Sequence, residues 1–448
     1  MTSTAVPAQK GAPPRGLPPG PRVPGVAQTF AWFFRPVPFI ERCRQRYGEI
    51  FTLGLGPGRN TVVVATPELA REVITGDPAI YRAGDANGLL RPVVGPNSLL
   101  VLDGDRHVHH RRILLPAFGQ DHVGEFARRV EAITASRIRS WRPGQSLSLL
   151  KEMEAISLEA IISVVLGDDE EDRLDRLRGL IPDMMRRAGS PLTILPYFRH
   201  ELGGLTPYAR LREVLAELDQ LFFDATRARR ANGEAGGDAL SLLIAATDAE
   251  GRGLAEREIR DELLTMIMAG YETTTSALAW SFERLLRSPR PLGRLLDEIG
   301  SGEETYLDAV VRESLRIRPV VPVVARKVAT DVELGGHRIP AGSVLMASIY
   351  LLHRDGAVFE DPEEFRPERF LNGGPRQIQG WFPFGGGVRR CLGASFAQLE
   401  MKIVLRTVLG AIRLHAPDSR PEPPARRRFT FAPGRGADAV VEKVGAAG

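Results

Sequence analysis

The hydrophobic pattern changes period along the chain. Residues 50–55 and 61–65 carry apolar and β-branched side chains on either side of Gly56-Pro57-Gly58-Arg59-Asn60, which reads as strand, turn and strand. Thr66-Pro67-Glu68 then supplies the cap, proline and first-turn acid that open a helix. From about residue 120 to 290 the apolar positions recur mostly at helical spacing, broken by Gly/Asp/Glu clusters at 167–172 and 232–238. The longest run, 256–286, places Ile259, Leu263, Met266, Gly270, Thr274, Ala277 and Leu285 on one stripe and extends roughly 45 Å. A helix of that length must cross a whole domain. Strand patterning returns at 331–348 around Gly335-Gly336, followed by a Pro/Gly-rich loop region at 361–383. No repeat and no long linker interrupts the chain, so the pattern predicts one mainly α domain with small antiparallel sheets over 27–448. A Pro-rich, partly disordered arm is expected over 1–26.

Composition narrows the function classes. A chain of 448 residues, 43 % apolar, can fill one large core. A net charge of +4 without a basic tail argues against a nucleic-acid partner. Five of the 59 basic residues are lysine, and the Arg/Ala/Gly/Pro bias matches GC-rich coding, which points to a bacterial source. Cys43 and Cys391, far apart in sequence, offer neither a disulfide framework nor a paired-cysteine zinc site, so a reducing compartment is expected. Residues 29–40 are too short an apolar stretch, and too broken by Pro36 and Pro38, to span a bilayer. The expectation is a soluble, cytoplasmic monomer without a membrane span.

Candidate chemistry concentrates in Phe384-Gly385-Gly386-Gly387-Val388-Arg389-Arg390-Cys391-Leu392-Gly393, followed by a helical pattern through Phe396, Leu399, Ile403 and Val404. Backbone N–H groups and the helix dipole favour a thiolate at such an entrance, and glycines let the chain pass close to a flat ligand. The GxxxxGK[ST] and GxGxxG spacings of phosphate loops are absent. A nucleophilic cysteine would need a base that the sequence does not single out, while a buried structural cysteine remains open.

The segment resembles the cysteine-ligand signature of cytochrome P450, whose Phe, Gly, Arg, Cys and Gly recur as Phe384, Gly387, Arg389, Cys391 and Gly393. Three further motifs stand in family order. Glu313 and Arg316, at i and i+3 on a helix ending before Pro319, resemble the family's Glu-x-x-Arg pair; Arg369 matches the arginine that completes it. The resemblance implies a buried ion network bracing the cysteine loop. Ala269-Gly270-Tyr271-Glu272-Thr273-Thr274 resembles the oxygen-activation motif, which makes Glu272 and Thr273 a proton relay and sets Ala269 and Gly270 against haem or substrate. A mid-helix glycine costs about 1 kcal/mol against alanine and asks for such a reason. His107 and Arg111 match the pattern that bonds haem propionates, with Arg389 and Arg326 completing the clamp. His109 and His110 are expected to face solvent, and the three-histidine run is not read as a metal site.

The resemblance implies a triangular helical domain enclosing haem b, ligated through Cys391, and a monooxygenase that inserts one atom of O2 into an organic substrate. Electrons would come from a separate ferredoxin or flavodoxin with its NAD(P)H reductase, docking where Arg112, Arg390 and Lys402 supply positive charge. The pocket would draw on Leu89, Leu90, Val93, Val94, Ala269, Val323, Val324 and the stretch 182–196. That composition suits a hydrophobic small molecule such as a terpenoid, steroid or fatty acid. A peroxide-driven peroxygenase and a non-catalytic haem-binding sensor are the competing expectations.

Overall fold

A computed structural model describes residues 16–444 apart from 57–59, 120–121, 168, 195–198, 200–204, 234–235, 248–250, 252 and 372–379. The long helix forms at Glu256–Leu286, where the periodicity places it. Two acids stand in its first turn, and the Glu258 carboxylate accepts from the Ala255 N–H at 3.1 Å. Burial is wider than one stripe, since Asp261, Glu262, Thr265, Glu272, Ser276 and Glu283 are also buried. A helix enclosed on nearly all sides must partner its polar side chains within the protein. Its first half packs in one core with the helices Leu149–Leu166, Glu171–Ala188 and Pro207–Asn232. Its second half packs in another with Thr305–Ile317 and Ala394–Ala411.

The principal sheet runs Ile50–Gly54, Asn60–Val64, Val344–Ala347, Val324–Val328 and Tyr81–Arg82. The expected N-terminal hairpin is present, and Thr66 caps the helix Pro67–Thr75 through the Leu69 N–H. Asn60–Val64 and Val344–Ala347 pair in parallel, so this sheet is mixed. These strands are joined through the helical half of the chain, and no hairpin forces them antiparallel. Gly335 and Gly336, at φ of 58° and 74°, turn the small hairpin Val332–Leu334/His337–Ile339, the geometry that favours glycine at both turn positions. The patterning did not anticipate two C-terminal features. One is the sheet of Ser146–Ser148, Asp438–Val444 and Ile412–His415; the other is the hairpin Pro424–Arg427/Thr430–Pro433.

The described part of the proline-rich arm is held through its carbonyls. Thr52 donates its N–H to the Pro19 carbonyl at 2.9 Å and its hydroxyl to Pro18 at 2.7 Å, while the His337 ring bonds the Gly16 carbonyl at 2.8 Å. Prolines lack N–H donors but accept normally, so the segment lies ordered along the sheet edge through its carbonyls. Helices Gly25–Phe34 and Pro36–Tyr47 follow; residues 1–15 of the expected arm lie outside the described residues. Among the described residues no helix is long and apolar enough to cross a membrane.

Candidate active site

The cysteine loop owes its shape to glycine, for a reason other than the one sequence suggests. Gly385 and Gly387 have φ of 64° and 60°, and a Cβ on Gly387 would lie 3.2 Å from Thr75 Cα. A Cβ on Gly386 would meet Ile74 at 3.0 Å, so this stretch is pressed on the end of helix Pro67–Thr75. The Cys391 N–H donates to the Phe384 carbonyl at 3.0 Å, and the Gly393 carbonyl accepts from Ala397 at 2.8 Å as the helix Ala394–Ala411 opens. Burial pushes the Cys391 thiol up; the Gly393 N–H, Arg390 and Arg111 oppose that. The same side chain keeps accessible surface, whereas Cys43 is buried. The residue is thus accessible at its surface and yet surrounded closely enough for its thiol to be desolvated.

Ala269 is the exposed residue in the middle of the otherwise buried long helix. Thr273, one turn on, donates its hydroxyl to the Ala269 carbonyl at 2.6 Å, a bond made alongside the helix's own ladder. Gly270 has a different role from the expected one. A Cβ there would come within 2.6 Å of Ile161 Cδ1, so glycine lets helix Leu149–Leu166 pack closely without moving that side chain, and Ala269 presents the open face. Glu272 is 1 % exposed, and burial raises its pKa despite the opposing charges of Arg428 and Arg427. Its Oε1 accepts from the Thr430 hydroxyl at 2.9 Å and the Phe429 N–H at 3.3 Å, and its Oε2 has no partner among the described residues. Glu272 and Thr273 thus face different neighbours along the helix.

The expected clamp residues converge electrostatically. His107, 3 % exposed, is lowered to about 4 by burial and by the charges of Arg389 and Arg111. Arg326 is lowered to about 10 by burial and by Arg389. Arg389 donates to Asp103 Oδ1 at 2.5 Å and to the carbonyls of Leu99 and Leu102, and Arg326 donates to the carbonyls of Ala325 and Ile74. Arg326, Arg389 and His107 gathered about Asp103, with Arg111 beside the Cys391 thiol, form a donor set that fits haem propionates and a thiolate-bound iron. His110 corrects the sequence reading: it is 3 % exposed, and its Nδ1 lies 2.7 Å from Glu262 Oε1 on the long helix. Glu262 has one oxygen without a partner among the described residues, and burial raises its pKa.

The bracing network is fully formed. Glu313, with no exposed surface, accepts from Arg316 at 2.7 and 2.8 Å, from Arg369 Nε at 3.2 Å and from the Arg366 N–H at 2.9 Å. Arg316, equally buried, donates onward to the carbonyls of His353, Pro362 and Glu364. His353, missed from sequence, carries the connection to the cysteine loop. Its Nε2 accepts from the Phe382 N–H at 3.0 Å, which leaves Nδ1 to donate to the Arg316 carbonyl at 3.0 Å. Its signal was a lone histidine between two loops, with nothing in the spacing to mark it.

Pocket expectations divide. Leu89 is 38 % exposed, and Leu90, Val323 and Val324 are partly buried. Val94 is wholly buried and Val93 nearly so, both packed into the core with the first half of the long helix, so neither offers free surface to a guest. That segment is fastened by Asp261, which accepts from the Asn97 N–H at 2.9 Å and side chain at 3.0 Å, and by the Thr265 hydroxyl bonded to Ser98 at 2.6 Å. Leu195 and Pro196 lie outside the described residues.

Comparison with known proteins agrees with this geometry. The profile of the cytochrome P450 family matches residues 18–436. Cytochrome P450 135B1 of Mycobacterium tuberculosis is 36 % identical over 430 residues, covering 94 % of this chain and 90 % of the relative. Cytochrome P450 138 of Mycobacterium bovis is 35 % identical over 444 residues, covering 98 % and 100 %. The fold is similar to that of the retinoic acid-bound cyanobacterial CYP120A1, with a TM-score of 0.86 at 22 % identity, covering 96 % of this chain and 99 % of that one. A buried Glu313–Arg316–Arg369 network, an accessible cysteine at a helix entrance and a family match across nearly the whole chain have one reading: this protein belongs to the cytochrome P450 family and is a P450 monooxygenase with a haem cofactor.

Proposed function

We propose that this monooxygenase uses haem b, held through Cys391, to insert one oxygen atom from O2 into a hydrophobic small molecule of terpenoid, steroid or fatty-acid type. The carrying observation is Cys391 itself, an interior sulfur with accessible surface, beside a Gly393 N–H and the charges of Arg111 and Arg390. When bound, the haem supplies oxygen activation at a thiolate-ligated iron. The chain's own residues do the rest. His107, Arg111, Arg326 and Arg389 hold the propionates, and the Gly393 N–H stabilises the sulfur's negative charge. Phe384 and Gly387 shape the loop; Thr273 keeps the helix groove open by bonding Ala269, and Glu272 is the relay acid, its proton affinity raised by burial. Ala269, Leu89, Leu90, Val323 and Val324 present apolar surface to the guest.

Electrons come in this reading from a separate ferredoxin or flavodoxin with its NAD(P)H reductase, in the cytoplasm, to a monomeric enzyme. Arg112 and Arg390 are exposed for docking, whereas Lys402 is engaged with Glu304 at 3.4 Å. The test is the carbon monoxide difference spectrum of the reduced, haem-loaded protein beside Cys391→Ala. A thiolate spectrum that disappears in the variant is expected; a wild-type spectrum without thiolate character refutes the proposal.

A further inference from the structure

The acid of the oxygen motif is held from outside its own helix, by the hairpin Pro424–Arg427/Thr430–Pro433. Thr430, 2 % exposed, meets two residues one turn apart on the long helix: Glu272 Oε1 at 2.9 Å and the Ser276 hydroxyl at 3.0 Å. A third neighbour is the Arg427 carbonyl at 3.3 Å. One turn further on, the Trp280 indole donates to the Phe431 carbonyl at 3.0 Å, so the strand follows the helix face through three successive turns. The turn itself is fastened. Glu154 accepts from Arg427 at 2.7 Å, from Arg428 at 3.0 Å and from Tyr271, the neighbour of Glu272, at 2.6 Å. Arg428 sits at φ 49°, a left-handed conformation unfavourable for arginine that these contacts maintain.

We propose that Thr430 is a positioning residue for proton delivery: its hydroxyl, shared with Ser276, fixes Glu272 Oε1 as an acceptor, so that the acid's proton resides on the unpartnered Oε2. This inference rests on the relay assigned to Glu272 above. A carboxyl oxygen that accepts from both Thr430 and the Phe429 N–H is the less available site for a proton. When the proton leaves, the same two donors stabilise the anion. Thr430 also has the Arg427 carbonyl as a second acceptor, so its hydroxyl can turn without being stranded. The charged groups facing Glu272 are Arg426, Arg427 and Arg428 of the hairpin, two of them paired with Glu154 of helix Leu149–Leu166. All three arginines favour the anion, and burial opposes them.

The experiment is an infrared pH titration of the resting, haem-loaded enzyme, following the carboxylic C=O band lost in Glu272→Gln. That difference separates it from the other raised buried carboxyls, Glu262 and Glu400. Removing a donor to the anion raises the acid's pKa, so Thr430→Val moves the midpoint up by roughly one pH unit and Thr430→Ser restores it. Product formed per reductant consumed falls several-fold in Thr430→Val and returns in Thr430→Ser. A midpoint or a coupling ratio in Thr430→Val equal to wild type overturns the assignment. Wild-type coupling in Glu272→Gln overturns instead the relay reading on which it stands.

Discussion

Replacing Glu313 with alanine tests whether buried charge organises the cysteine loop. The carboxylate accepts four hydrogen bonds, from Arg316 twice, from Arg369 and from the Arg366 backbone. Arg316 has no exposed surface and Arg369 is 7 % exposed in its side chain, so Glu313→Ala leaves two guanidinium charges in the interior without a counter-ion. Breaking one side of a buried pair costs about 3–5 kcal/mol, because the remaining charge stays desolvated. An unfolding entropy of about 2.1 cal/mol/K per residue, taken over 448 residues, converts that to a fall of roughly 3–5 °C in Tm. The displaced Arg316 also loosens the His353 to Phe382 bond that supports the loop, so thiolate ligation weakens together with stability. Thermal unfolding by circular dichroism, with the carbon monoxide difference spectrum on the same samples, measures both. Glu360→Ala is the control, since that residue's side chain is 78 % exposed and its ion pair with Arg366 contributes at most about 1 kcal/mol. If Glu313→Ala loses no more than this control and keeps its spectrum, the bracing role is wrong.

Three other outcomes follow from the same structure. His353 is wholly buried and held neutral, its pKa depressed from 6.5 to about 3, so below pH 6.5 the unfolded chain binds a proton that the folded one refuses. Stability therefore falls as pH drops from about 6.5 towards 3, by up to about 1.4 kcal/mol per pH unit, and a denaturant series should show a shallower slope in His353→Phe. Asp261→Ala removes both bonds to Asn97, each worth about 1.5–3 kcal/mol as a bond to a charged group. Hydrogen exchange at 91–102 should then accelerate at least tenfold, and unchanged protection would mean that apolar packing alone holds the segment. For partner docking, Arg390→Ala should raise the KM for the electron donor several-fold at low salt. Lys402→Ala, which removes a lysine engaged with Glu304 alongside Arg406, should change it less than twofold, and equal effects would remove the distinction.

The long helix, the first hairpin and the cap at Thr66 were legible in sequence because each depends on neighbours within a few residues: an apolar period, a glycine turn, a side chain reaching three positions ahead. Cys391, the Glu313–Arg316 pair and the Ala269–Thr273 stretch were legible as motifs, since residue type at close spacing carries their chemistry. Tertiary structure decided the rest. His110 looked solvent-facing until the long helix brought Glu262 to it, and Val94 looked pocket-lining until it packed into the core. Gly386, Gly387 and Gly270 also make room for Ile74, Thr75 and Ile161, neighbours remote in sequence that no local pattern marks. His353 and Thr430 carry no local signature, because a single hydroxyl or imidazole acquires a role only from the partners that folding places within hydrogen-bond range. Sequence determined which chemistry this chain carries and along which helix and loop it lies. Burial and long-range packing decided which ionisable groups are shifted, which residues stay accessible and what holds the acid in place.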